Sequence, residues 1–391
     1  MAEAREFDMI IYGATGFTGR LVAEYMAGTH PQRAGKWAMA GRSAEKLAAV
    51  RDEMGLPGDT PMVVANADDP ESLKAMAERA KVICTTVGPY TLYGEPLVAA
   101  CVEAGTDYVD LSGEPLFMRD MIEKYDTRAK ETGARIVHSC GFDSIPFDLG
   151  VAFVQEAAKD KFGAPAPHVR GRVRKMQGTF SGGTAASGRA TMAAVQKNPA
   201  LLAQLTSPFC LTPGFTGADQ PQMSKPVQDP DGMWAAPFFM AVINTKNVHR
   251  SNVLNGLPYG EGFQYDEMIA TGPGEAGEAA AKAVVSAPDP MASDGGPKPG
   301  EGPSKAEREA GHYDVLFTAD MGDGRAVKAG VTGDKDPGYG STSKILAESA
   351  LFLADGHATV GGGVFTPGAA FGTALVPALV ERAGMTFTVE A

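Results

Sequence analysis

The sequence lacks the marks of a secreted, membrane-spanning or metal-binding protein. Its four cysteines are scattered at positions 84, 101, 140 and 210, without the close spacing of a zinc site or redox pair. No apolar run approaches the roughly 20 residues that cross a bilayer, and the charged N-terminus carries no apolar signal segment. We therefore expect a cytoplasmic chain with reduced thiols and no metal site, while peripheral contact with a membrane surface stays open.

Clusters of basic residues are also missing. The formal net charge is -12, and no local group of lysines and arginines offsets it, so a nucleic acid backbone would be repelled. With 391 residues, 44% hydrophobic, the chain is long enough for two domains that each bury a core. We expect a small-molecule substrate, and the sequence leaves the oligomeric state open.

Several catalytic motifs are absent. No tyrosine is followed four residues later by a lysine, which argues against the chemistry of short-chain dehydrogenases. The sequence has no His-Glu-x-x-His, no Gly-x-Ser-x-Gly and no Gly-Lys-Ser/Thr phosphate loop. The sequence therefore argues against three kinds of reaction: metal-dependent hydrolysis, hydrolysis by a nucleophile-elbow serine, and nucleoside triphosphate cleavage.

What is present is an alternation of strands and helices from residue 8 to about 138. Apolar runs at 9–12, 37–40, 62–65, 82–87, 107–111 and 135–138 alternate with helical patterns, including one at 97–104. This predicts an α/β fold with a Rossmann-type doubly wound parallel sheet of six strands, followed by an α+β domain. The expected boundaries are 1–148, 149–340, and a C-terminal helical segment 341–391 that packs back on either domain.

The first strand leads into a glycine-rich loop. Gly13, Gly16 and Gly19 enclose Thr15, Phe17 and Thr18 in a Gly-x-x-Gly-x-x-Gly pattern between strand and helix. A loop without bulky side chains brings backbone N–H groups and a helix N-terminus against a diphosphate. The pattern predicts a dinucleotide site formed by these six residues.

The end of the second strand carries Arg42 and Ser43 where NAD enzymes usually have an acidic residue. A guanidinium and a hydroxyl can hold a 2'-phosphate, which favours NADPH over NADH. Lys46 either adds positive charge to this phosphate site or is a solvated surface lysine. Asp68 is placed to contact the adenine of the cofactor. Capping of the following helix explains the presence of this aspartate equally well.

The fourth strand ends at Val87, Gly88 and Pro89, on the edge that faces the cofactor in this fold. Tyr90 and Tyr93 follow and are candidate proton donors, although packing against the cofactor is the favoured alternative for each.

Two further turns face the same crevice. Gly113 is expected to border the nicotinamide, and Glu114 to serve as the N-terminal charge of the helix that starts at Pro115. Asp143 is the third catalytic candidate, although we favour a role for Asp143 and Ser144 in the turn and helix cap.

The motifs together resemble one family. Residues 12–20, 40–43, 87–90, 108–114 and 140–146 are similar to the saccharopine dehydrogenase-like oxidoreductases, including the mycobacterial trans-acting enoyl reductases. Similarity at 300–308 and 362–367 extends the resemblance over nearly the whole chain. The resemblance implies an NADPH-dependent oxidoreductase of two domains.

Three functions stay open. The enoyl reductase branch implies hydride addition to a conjugated double bond, in an enoyl or carbonyl lipid-like substrate, and we lean toward it. Saccharopine-type chemistry on an amino acid imine would need a basic pocket, whereas Arg170, Arg172 and Arg174 alternate on one strand face that we expect to be solvated. A non-catalytic NADPH-binding scaffold or redox sensor is the third alternative.

Overall fold

The computed structural model describes residues 5–179, 182–287 and 301–390, and the side chains of 182–185 are left aside. The first part of the chain alternates strands and helices in the expected manner. The elements are β1 Phe7–Tyr12, α1 Phe17–Thr29, β2 Trp37–Gly41, α2 Ala44–Glu53, β3 Met62–Val64, α3 Pro70–Ala77, β4 Ala80–Thr85, α4 Tyr90–Ala104, β5 Asp107–Val109, α5 Pro115–Thr132, β6 Arg135–Val137 and α6 Ile145–Phe162.

The remaining part of the chain has longer strands and shorter helices. Its elements are β7 His168–Gln177, α7 Gly182–Lys197, α8 Leu201–Thr206, β8 Val227–Gln228, β9 Met233–Pro237, α9 Ala241–Leu254, β10 Gln264–Pro273, α10 Gly274–Ser286, α11 Lys305–Ala310, β11 His312–Asp320, β12 Ala326–Gly333, α12 Thr342–Ala354, β13 Gly363–Phe365, α13 Pro367–Ala370, α14 Val376–Arg382 and β14 Met385–Glu390.

The first sheet is parallel and has the strand order β13-β6-β5-β4-β1-β2-β3. This confirms the predicted fold class. In the described chain the sheet has seven strands rather than the six expected, because Gly363–Phe365 pairs with β6. Three residues are too few for a strand pattern to show in the sequence.

The second sheet is mixed and has the order β14-β12-β11-β7-β10-β9-β8. The three arginines of β7 are not the solvated face that we expected. Arg172 is 5% exposed and binds Asp229 and Asp266, Arg170 pairs with Asp320, and Arg174 pairs with Asp314 and Glu390. Their charges are neutralised within the sheet by residues distant in sequence.

The C-terminal residues contribute to both sheets. α12 packs on β4 and β5 of the first sheet, and β14 pairs with β12 at the edge of the second. The stretch therefore contains two strands besides its helices, and it contacts both halves of the chain.

One helix begins earlier than the sequence indicated. α4 starts at Tyr90 rather than at residue 97, and it contains Pro96. Pro96 lies within the first two turns, and a carboxylate from another segment caps the helix start, as described below. No described helix is long and apolar enough to cross a membrane. The sequence over 286–304, which is dense in proline, glycine and aspartate, predicts a loop. Residues 288–300 of it lie outside the described residues.

Candidate active site

The glycine loop leaves no room for side chains at two of its three glycines. Gly13 has φ +94°, and a Cβ there would lie 2.7 Å from Oγ1 of Thr86. A Cβ at Gly19 would lie 2.2 Å from the carbonyl oxygen of Gly13. Gly16 precedes α1 in an extended conformation, so the first turn of α1 presents its backbone N–H groups at the loop. The loop has the shape that a diphosphate requires.

The two threonines of the loop lie toward different ends of this site. Thr15 lies near Gly41 at the end of β2, since its Oγ1 would be 3.7 Å from a Cβ at Gly41. Thr18 instead lines a large pocket described below. The ring of Phe17 contacts Tyr339 edge to face, with centroids 5.1 Å apart. Phe17 therefore joins the loop to the segment before α12.

Arg42 lies where β2 leads into α2 and is exposed. Among the described residues neither Arg42 nor Lys46 forms an ion pair. Ser43 caps α2, because its Oγ accepts a hydrogen bond of 3.2 Å from the Lys46 N–H and donates one to Glu45. The Arg42 guanidinium is thus available to an anion, while the Ser43 hydroxyl is already engaged.

Asp68 does not cap α3. The cap is Asp69, whose carboxylate accepts hydrogen bonds from the N–H groups of Glu71 and Ser72. Burial raises the pKa of the Tyr12 phenol to about 12. The nearby charge of Arg42 lowers this pKa, and the nearby charge of Asp68, which is exposed, raises it. Asp68 and Arg42 therefore flank the same end of the crevice.

The large pocket lies between the carboxyl edge of the first sheet and the end of β7. Its empty volume is about 1270 Å³, including the part open to solvent. One wall comes from segments at the carboxyl edge of the first sheet, and the other comes from β7, α7 and the segments before α9 and α12. The wall includes Thr18, Gly88, Tyr90, Gly113, Glu114, Phe142, Asp143, Met176, Ser187, Thr191, Phe239 and Met240.

The two candidate tyrosines differ in position. Tyr90 is buried and lines the pocket, but its hydroxyl donates to the carbonyl of Thr85 at 3.2 Å and accepts from the N–H of Leu111 at 3.4 Å. Burial raises the pKa of Tyr90 well above its ordinary value. Tyr93 is 42% exposed and lies outside the pocket wall.

Glu114 caps a helix other than the one expected. Its side chain accepts hydrogen bonds from the N–H groups of Tyr90 and Thr91, the Thr91 hydroxyl and the Ser187 hydroxyl, at 2.6–2.9 Å. It makes no cap bond to α5. Glu114 therefore stabilises the N-terminus of α4 and links α7 to it through Ser187.

The expected cap of α6 is also absent. Ser144 occupies the N-cap position without a side-chain cap bond, and its Oγ instead donates to Asn244 and accepts from Asn247, both at 2.7 Å. The Asp143 carboxyl lines the pocket, and a Cβ at Gly113 would lie 2.7 Å from its Oδ2. The two turns that the sequence singled out, at 113 and 143, thus meet in the pocket.

Asp143 holds its proton to an unusually high pH. Burial, and next the negative charge of Asp110, raise the pKa of Asp143 to about 7. Asp110 is buried behind the pocket, where it accepts hydrogen bonds from Tyr108, Ser112, Ser139 and the ring of His138. A carboxyl with a pKa near neutrality is suited to proton transfer.

Asp110 was missed in the sequence, although it lies in the motif at 108–114. Two features of the sequence could have indicated a buried polar role for Asp110. It lies one residue after β5, and it is two residues from Tyr108, on the same side of the strand. The α7 residues Ser187 and Thr191 gave no signal, because nothing local places α7 over a pocket formed by residues distant in sequence.

Gly113 gives a first prediction. In Gly113→Ala the new Cβ would force Asp143 to move, and we expect kcat to fall about tenfold, since small displacements of reacting groups are costly. Because Gly113 is also expected to border the nicotinamide, NADPH affinity is measured separately from kcat. Gly58→Ala, where a Cβ would meet nothing within 4 Å, is the matched control. Steady-state kinetics and a binding titration would check both, and wild-type kcat in Gly113→Ala would contradict the close contact.

Comparison with known proteins now decides the family. Residues 9–137 match the family described as the saccharopine dehydrogenase NADP binding domain. The chain is 42% identical over 97% of its length to a Mycobacterium tuberculosis protein assigned to the trans-acting enoyl reductases, covering 96% of that protein. The chain belongs to the saccharopine dehydrogenase-like oxidoreductases.

Two more proteins extend the comparison. A trans-acting enoyl reductase of Mycobacterium bovis is 39% identical, with 96% of each chain covered. Apo saccharopine dehydrogenase of Saccharomyces cerevisiae has a TM-score of 0.54 at 12% identity, covering 98% of this chain and 99% of that one, which shows the fold.

The protein is thus an NADP-dependent oxidoreductase, as the sequence predicted. The residues present fit the cofactor: Gly13 and Gly19 form a loop that a Cβ would fill, and Arg42 is an exposed cation without an ion pair among the described residues. Gly13 to Gly19 would hold the diphosphate and Arg42 the 2'-phosphate. The first sheet places both at its carboxyl edge.

Proposed function

We propose that the protein reduces a carbon–carbon double bond conjugated to a carbonyl in an uncharged, lipid-like substrate, with Asp143 as the proton donor. The observation that carries the proposal is the pocket itself. It combines an apolar wall with a carboxyl group whose pKa lies near 7.

The charge of the pocket supports this substrate class. Among the described residues its wall contains no lysine, arginine or histidine, whereas it contains Glu114 and Asp143. A substrate carboxylate would be desolvated there without a cationic partner, which costs several kcal/mol. This argues against saccharopine-type chemistry on an amino acid imine.

The apolar part of the wall supports a lipid-like substrate. Phe142, Met176, Phe239 and Met240 line the pocket together with the ring of Tyr90. Pockets of this kind bind apolar ligands through buried area, and a few polar groups fix the orientation. Two relatives carry the name trans-acting enoyl reductase, which agrees with a conjugated double bond as the reacting group.

The reduction adds a hydride to the carbon β to the carbonyl and a proton to the α carbon. NADPH, when bound, supplies the hydride. Asp143 then donates the proton to the α carbon, on which the electron pair of the double bond is left, and becomes a carboxylate. Because Asp143 lines a pocket that opens to solvent, it can regain a proton between turnovers.

The other residues of the wall orient the substrate and keep water out. Glu114 holds α7 over the pocket through Ser187, so Ser187 and Thr191 cover the reacting centre. Neither tyrosine is the donor in this proposal, because the Tyr90 hydroxyl is engaged in hydrogen bonds and Tyr93 lies at the surface.

A matched pair of substrates tests the proposal. An α,β-unsaturated thioester with an unbranched alkyl tail should be reduced by NADPH. A second α,β-unsaturated thioester, which carries a carboxylate close to the double bond in place of the alkyl tail, should be reduced with a kcat/KM at least about 100-fold lower. The reason is that the carboxylate has no cationic partner in the pocket. NADPH oxidation and product analysis would measure both. Faster reduction of the carboxylate, or turnover of amino acid imines alone, would refute the proposal.

A further inference from the structure

The segment formed by α7 and α8, of which residues 186–206 have described side chains, is poorly buried. None of these residues is fully buried, although the segment contains Met192, Val195, Leu201, Leu202 and Leu205. Helices in proteins are normally stabilised by burying an apolar face. Apolar side chains that stay exposed in this way indicate a surface that binds another molecule or a membrane.

The exposed apolar side chains concentrate beside the pocket. Met192 is 56% and Leu202 52% exposed, and Leu92 at the start of α4, which packs against α7, is 61% exposed. Met176 is 37% exposed and lines the pocket wall, as do Ser187 and Thr191 of α7. Exposed apolar side chains therefore lie on the pocket wall, on α4 beside α7, and on α7 and α8 themselves.

The charge of this region is opposite to that of the whole chain. Residues 176–218 contain no aspartate or glutamate, although the chain has 47 acidic residues against 35 lysines and arginines. Within this stretch Arg189 and Lys197 form no ion pair among the described residues. Arg189 and Met192 lie one turn apart on the same face of α7, Lys197 lies at the end of the helix, and all three are exposed.

Two acidic residues of the neighbouring helices are neutralised, whereas Asp120 of α5 is exposed and forms no ion pair among the described residues. Glu95 of α4 pairs with Lys124 at 2.9 Å, and Glu123 of α5 pairs with Arg119. A helical segment that combines exposed apolar side chains with unpaired cations resembles an interfacial membrane-binding element.

We propose that residues 186–206 dock on an anionic phospholipid surface, with Met192 and Leu202 inserted among the lipids and Arg189 and Lys197 facing the headgroups. Docking would place the pocket mouth at the membrane, where a poorly soluble substrate is concentrated. The delivery of substrate rests on the proposed function, whereas the docking itself does not.

Vesicle sedimentation of the full chain, without substrate or cofactor, tests the docking. We expect at least about tenfold tighter binding to vesicles that contain about one third phosphatidylglycerol than to pure phosphatidylcholine, and weaker binding at high salt. The R189Q/K197Q and M192S/L202S variants should each bind about tenfold less. Val380→Ser, an exposed apolar residue on α14, is the control and should bind as wild type.

Three results would overturn the proposal: no vesicle binding, equal binding to neutral vesicles, or wild-type binding by M192S/L202S. Binding of the segment to an acidic carrier protein, without vesicle binding, would also overturn it. Loss of docking with intact reduction of a soluble enoyl thioester would leave the proposed function standing. Intact docking without any such reduction would leave the docking standing and refute the proposed function.

Discussion

Replacing Asp143 with asparagine is expected to lower kcat for enoyl reduction by about 100-fold or more, because general acids contribute about that factor. Asparagine has nearly the same size and carries no transferable proton at neutral pH. NADPH affinity should be unchanged, since Asp143 lies in the pocket rather than at the glycine loop. Asp160→Asn, an exposed aspartate of α6, is the control and should keep wild-type kcat. Wild-type kcat in Asp143→Asn would remove Asp143 from the mechanism.

The fold should survive this substitution. The unfolded chain loses the Asp143 proton near pH 4, whereas the folded protein keeps it until about pH 7. The contribution of this group to stability is thus fully present below about pH 4 and is lost as the pH rises through about 7. At pH 8 the asparagine variant should have a Tm equal to or above that of wild type. A lower Tm would mean that the loss of kcat reflects damage to the fold.

Replacing Arg42 with aspartate is expected to weaken NADPH binding about 100-fold, since a charge-assisted hydrogen bond is lost and a repulsive carboxylate is gained. NADH binding should change by less than about threefold, because it lacks the 2'-phosphate. Lys46→Ala tests the neighbouring cation and should weaken NADPH binding by no more than about fivefold. Fluorescence titration with both cofactors would measure the difference.

The outcome of this titration separates two accounts of the cofactor site. Equal weakening of NADPH and NADH in Arg42→Asp would mean that the residue holds the loop together rather than the 2'-phosphate. Unchanged NADPH binding would place the phosphate elsewhere, and Lys46 would be the next residue to test.

The strand, loop and helix that form the proposed cofactor site were predictable because their signals are local. Gly13, Gly16 and Gly19 act within one strand, loop and helix, and Arg42 stands one residue after its strand. The parallel sheet followed from the alternation of elements. These features depend on short-range geometry, which the order of residues expresses directly.

The rest depends on contacts between distant residues. Glu114 caps a helix that begins 24 residues earlier, and β13 joins a sheet whose other strands end at residue 137. The arginines of β7 are neutralised by partners 57 to 216 residues away. The pKa of Asp143 reflects burial and the charge of Asp110, which lies 33 positions earlier in the sequence. No local pattern carries such information, and for this reason the sequence favoured a capping role for Asp143.

The protonation of Asp143 is the claim on which the mechanism depends, and it can be measured directly. In protein labelled with ¹³C at aspartate carboxyl carbons, the Asp143 signal is identified by its absence from Asp143→Asn. We expect this signal to titrate with a midpoint near pH 7. A midpoint near pH 4, as for an ordinary aspartate, would show that the carboxyl is ionised at neutral pH and would contradict its role as the proton donor.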